Sequence, residues 1–112
     1  MTEQERMAEN MLIAKTIQQQ LGGGRMAVMT GARDFMVWDR GLKFRLPSTM
    51  TKDRINIVIV TLTPADLYRV EWMRMRKQKG IPTVHTIHTD EDVFAEDLIP
   101  LFESRTGLYT SL

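Results

Sequence analysis

No cysteine occurs in the 112 residues, which removes disulfides, thiolate nucleophiles and thiolate-bound zinc together. Histidine is scarce too. His85 and His88 are the only two, and three apart on a strand they point to opposite faces, which is poor geometry for a shared metal. No serine, histidine and aspartate fall into a supported catalytic order, and no carboxylate pair stands out. Long apolar runs are missing: none approaches the roughly 20 residues that span a bilayer, and the opening MTEQERMAEN is too polar for a signal peptide. Charge of one sign is not in excess, since 15 Lys and Arg against 14 Asp and Glu leave a formal +1. Any pull on nucleic acid must therefore come from a local patch. These absences lead to one expectation: a single domain over residues 1–112, cytoplasmic, with no membrane partner, no cofactor and no metal, and not an enzyme.

Glycine is concentrated. Five of the seven glycines lie in QLGGGRMAVMTGARDFMVWDRGLKFRLP, residues 20–47. A phosphate-cradling loop needs Gly-Lys-Ser/Thr after a strand and before a helix. Here the glycines follow a helical pattern and no such tripeptide exists, so they read as turns. Gly31 stays open between a tight corner and a close backbone approach.

The order of elements follows from periodicity. Thr2 and Glu5 have capping-box spacing, and Met7, Met11, Ala14, Ile17 and Leu21 form a stripe, predicting a helix over 3–21. Gly22 supplies positive φ at its end and two further glycines release the chain. MAVMT reads as a short strand, DFMVW as another, and DRG as the turn into LKFRL, where Leu42, Phe44 and Leu46 alternate with Lys43 and Arg45. INIVIVTL (55–62) is apolar on both faces and belongs in the centre of a sheet. LYRVEWMRMRKQ fits a helix or a strand; the period-two set Tyr68, Val70 and Trp72 favours the strand. Lys79 to Pro82 makes a turn and TVHTIH a last strand. Thr89 or Asp90 then caps a second helix that buries Val93, Phe94, Leu98, Leu101 and Phe102, with a kink or restart near Ile99 forced by Pro100 and a stop at Gly107. The sum is an α+β fold: an N-terminal helix, an antiparallel meander of about five strands, and a C-terminal helix.

One cluster carries a functional signal. Arg74, Arg76, Lys77 and Lys79 fall within six residues, and Lys43 and Arg45 occupy the polar face of another strand. If both strands show these residues on one side, with Trp72 nearby, the stripe suits a phosphodiester backbone. The bland alternative is a solvated face whose cations discourage edge pairing. Met73 and Met75 read as packing residues or as an adaptable binding surface, and the acidic TDEDVFAED as a solvated helix start.

QQLGG, MTGAR, LKFRLP, VTLTPADLYRVE and TGLYTSL together resemble a family of small bacteriophage and prophage proteins over roughly residues 17–112. The resemblance implies a mobile-element origin and a host-cell cytoplasm; it assigns no activity to any residue. Three roles follow as expectations. The first is a nucleic-acid-binding accessory protein acting through Lys43, Arg45, Trp72, Arg74, Arg76, Lys77 and Lys79. The second is a protein-interaction inhibitor of a host defence system, with a host protein as partner. The third is a virion or assembly component. A homodimer that buries the second sheet face is a further expectation, since the central strand needs cover on both sides.

Overall fold

The computed structural model describes residues 1–111. The elements run α1 (Glu3–Gln20), α2 (Gly23–Thr30), β1 (Arg33–Trp38), β2 (Gly41–Arg45), β3 (Ile57–Leu62), β4 (Tyr68–Gln78), β5 (Ile81–Val93) and α3 (Leu98–Thr106), with short 3-10 turns at Lys52–Arg54 and Ala95–Asp97. The five strands form one antiparallel sheet in chain order, so the expected α+β meander between terminal helices is what the chain builds. Short connections make this order natural.

The period-two pattern of β2 sets the inward face. Leu42 lies opposite Val60 and Phe44 opposite Val58, and these in turn face Val70 and Trp72 on β4. Ala14 and Ile17 of α1, Met26 of α2 and Leu98 and Phe102 of α3 complete one buried cluster on this side. Phe44 is the hub, with Phe35 stacked at 5.3 Å and Phe102 at 6.2 Å. Gly41 begins β2 where a side chain cannot fit: a Cβ there would collide with the Val60 carbonyl oxygen.

Among the described residues no helix covers the opposite face. Ile57 and Ile59 of the central strand are nonetheless buried. Their register neighbours are Lys43 and Arg45 on β2 and Glu71 and Met73 on β4, long side chains whose stems can cover apolar surface while their ends reach water. The second face of β3 is thus sheltered within the monomer, and a dimer there is not required to bury it.

Two expected elements differ. MAVMT is not a strand: Gly22 (φ 117°) stops α1, and Gly23 and Gly24 open α2 instead of releasing the chain. Helical spacing buries Met26 and Thr30 one turn apart, and a five-residue apolar run cannot reveal its period. No helix starts at Thr89 or Asp90, because β5 continues to Val93. The 3-10 turn Ala95–Asp97 gives way to the final helix at Leu98, a restart one residue from Ile99 as expected, which puts Pro100 in the first turn, where the missing amide has no partner to lose. Phe94 stays exposed instead of joining the helical stripe, and so do Met7 and Met11 of α1.

Candidate nucleic-acid interface

β4 and β5 outrun the rest of the sheet. The last β3 residue in register is Ile57, opposite Met73. Asn56 then extends the ladder by one step with its side chain: its Nδ2 donates to the Met75 carbonyl at 2.8 Å and its Oδ1 accepts from the Met75 amide at 2.7 Å. Beyond Met75 the two strands continue alone through Arg76–Thr83, Lys77–Pro82 and Gln78–Ile81. Lys79 (φ 54°) and Gly80 (φ 79°) close the tip, as the favoured two-residue hairpin turn requires. The predicted turn is therefore shorter, and Ile81 and Pro82 belong to β5. Proline is tolerated there because β5 is an edge strand.

This ribbon holds most of the predicted site. From Met73 to His88 there is no carboxylate, and Arg74, Arg76, Lys77 and Lys79 all lie in that interval. Among the described residues none of these four makes an ion pair. They do not share a face. Strand alternation puts Arg74 and Arg76 on the helix side, continuing the line of Val70 and Trp72, and Lys77 on the open side, with Lys79 at the tip. Lys43 and Arg45 occupy the open side of β2, and Arg45 reaches the hairpin base, its Nη2 3.6 Å from Met75 Sδ. The single positive stripe expected from sequence is instead a ribbon with cations on both faces and a flanking pair beneath one of them.

Trp72 does not belong to this surface. It is 1% exposed, packs on Phe102 at 6.1 Å and donates its indole N–H to Asp90 at 2.8 Å. The aromatic on the open face is Trp38, with Lys43 Nζ 4.8 Å from its ring centre. Only the strand register reveals that Trp38 and Lys43 are neighbours across β1 and β2.

The histidines need a correction as well. β5 spends 13 residues against 11 in β4, and its extra residues form bulges. One of them separates Trp72–His88 from Met73–Thr86, so His85 and His88, opposite Arg74 and Trp72, lie on the same side of the sheet. His88 Nε2 sits 3.7 Å from Asp53 Oδ2. Among the described residues no three acidic or histidine side chains gather as a metal site.

Asp90 is the site's anchor to the helix layer. Besides Trp72 it accepts from Arg105 Nε at 3.0 Å and Nη2 at 2.8 Å. The Arg105 hydrogen bonds, helped by that of Trp72, hold its carboxyl below the ordinary value, against the opposing effect of burial.

No protein-family model, curated protein or solved structure matches the chain.

Proposed function

We propose that the protein binds nucleic acid, inserting the β4–β5 hairpin into a groove of duplex DNA. The observation that carries this reading is a two-stranded ribbon free of carboxylates, with cations on both faces and at its tip. A major groove about 12 Å wide admits such a ribbon. The phosphates on its two walls then meet Arg74 and Arg76 on one side and Lys77 on the other, while Lys79 leads. Lys43 and Arg45 add contacts along the open face. Exposed Ile81 and Val84 offer apolar contact to base edges such as a thymine methyl. The resemblance to small phage proteins adds a setting, the cytoplasm of a host cell, in which such an accessory protein acts.

Fluorescence anisotropy of a labelled duplex tests it. Binding is expected at about 50 mM salt and to weaken with a log–log slope near −0.9 for each phosphate neutralised. Replacing Lys77 and Lys79 together by alanine should reduce that slope by about 2. A flat titration at low salt, or a slope indifferent to the double change, rules the reading out.

A further inference from the structure

A regular register of β1 on β2, continued from Met36–Lys43, would set Asp34 opposite Arg45. Opposite charges facing across a strand pair stabilise it, and like charges do the reverse. The chain takes the second arrangement. A bulge between Arg33 and Met36, with Asp34 at φ 56°, shifts the strand by one residue and sets Arg33 opposite Arg45. Bulges re-aim side chains in this way, and a non-glycine residue in the left-handed region is uncommon. Asp34 is left at the flank, its Oδ2 3.8 Å from Arg33 Nε, both side chains being more than 60% exposed. An ion pair so solvated is weak. Among the described residues Arg45 has no carboxylate partner. Its contact is with Met75 Sδ, 3.6 Å from Nη2, and a thioether is a poor acceptor.

The two arginines share a cavity of about 210 Å³ with Ser48, Asn56 and Met75, and no carboxylate lines it. Its walls are fixed. Asn56 holds both backbone groups of Met75, and its carbonyl accepts from the Leu46 amide at 3.0 Å. Ser48, which adds a hydroxyl to the rim, lies in a turn closed from Pro47 to Met50 at 3.1 Å. The Thr51 hydroxyl braces that turn, donating to the carbonyls of Ile55 at 2.7 Å and Ser48 at 3.4 Å. A guanidinium offers two parallel N–H groups that match phosphate oxygens. Two guanidiniums also bring two positive charges. A phosphodiester, with one negative charge, offsets half of that, whereas a terminal phosphate carries about −1.5 to −2 near neutral pH.

We infer that Arg33 and Arg45 form a clamp for a terminal phosphate, carried by a nucleotide or by the end of a nucleic-acid strand. The clamp shares Arg45 with the open-face contacts proposed above but does not rest on the hairpin. The arginine Nε–Hε resonances of the full chain read it directly. Inorganic phosphate should move those of Arg33 and Arg45 saturably, and sodium chloride at equal ionic strength should not. Arg33→Gln, a change at an exposed side chain, should weaken phosphate binding about tenfold, read on Arg45. Arg33→Lys, which keeps the charge and loses the fork, should recover only part of it. Two matched pairs of probes then identify the source: adenosine 5′-monophosphate against adenosine, and a duplex with 5′-phosphate against 5′-hydroxyl ends. A preference seen with the nucleotide alone assigns a soluble ligand, and one seen with the duplex assigns a strand end. Absence of both preferences, or arginine shifts that chloride reproduces, overturns the clamp. So does phosphate binding that Arg33→Gln leaves unchanged. Replacing Lys77 and Lys79 by alanine should lower duplex affinity and keep the phosphate shifts, so failure of the hairpin reading and failure of the clamp are told apart.

Discussion

Thr30 and Thr106 occupy equivalent places in two different helices. Each is the last helical residue, fully buried, and followed by a glycine in the left-handed region, Gly31 at φ 76° and Gly107 at φ 75°. Each hydroxyl donates to the carbonyl four residues back at 2.7 Å and accepts from the amide two residues on at 3.2 Å. The Thr-Gly pairs in MTGA and TGLYTSL are therefore helix terminators: the hydroxyl bonds back to the carbonyl one turn earlier and gives the buried amide beyond the glycine its partner. This settles Gly31 as a helix stop and not a corner between strands. After Gly107, Leu108 packs into the core and Thr110 binds Glu103 through both its amide and its hydroxyl. Thr106→Val keeps the shape but leaves the Leu108 amide unpaired in a buried place. It should lower stability by about 1–3 kcal/mol, read from the urea midpoint at constant m-value. Thr106→Ser, which keeps the oxygen, should recover most of the loss.

At the scale of elements, α3 is tied to the end strands through one carboxylate. Asp90 on β5 holds Trp72 of β4 and Arg105 of α3 at once. Its carboxyl is depressed from an ordinary value of 3.8, so its contribution is complete above that value and disappears as pH falls through the lower folded-state value. Asp90→Asn should therefore cost about 1–3 kcal/mol near neutrality, as for hydrogen bonds to charged groups, and the gap from the wild type should close as denaturation curves are taken below pH 4. A gap that stays constant with pH would show that the carboxylate charge is not what matters. This residue also marks where the sequence stopped being readable. β2, β3 and the first half of β4 were legible because their alternation reports burial directly, and Gly107 marked the helix end. The acidic TDEDV looked like a helix start because acidic residues suit that position; its partners, Trp72 and Arg105, are 18 and 15 residues away. The hairpin's four cations were visible in order, but their division between two faces and the burial of Trp72 depend on where the core ends. Trp38 gives no signal in the sequence, because its contact with Lys43 is a matter of cross-strand register. The β5 bulge that brings both histidines to one side leaves no local mark.

For the whole molecule, the placement of the cations decides how a duplex approaches. The chain is 42 × 37 × 24 Å in extent, and the β4–β5 hairpin runs on past β3 to its tip at Lys79 and Gly80. Arg76, Lys77 and Lys79 are exposed there, whereas Lys43 and Arg45 are half-buried on β2. The tip cations should therefore set most of the affinity, and the β2 pair should add a smaller share from the open side. Replacing Lys43 and Arg45 together by alanine should weaken duplex binding less than replacing Lys77 and Lys79 does, both read by anisotropy at one salt concentration. An equal or larger loss from the β2 pair would lay the duplex across the open face of the sheet and not on the hairpin.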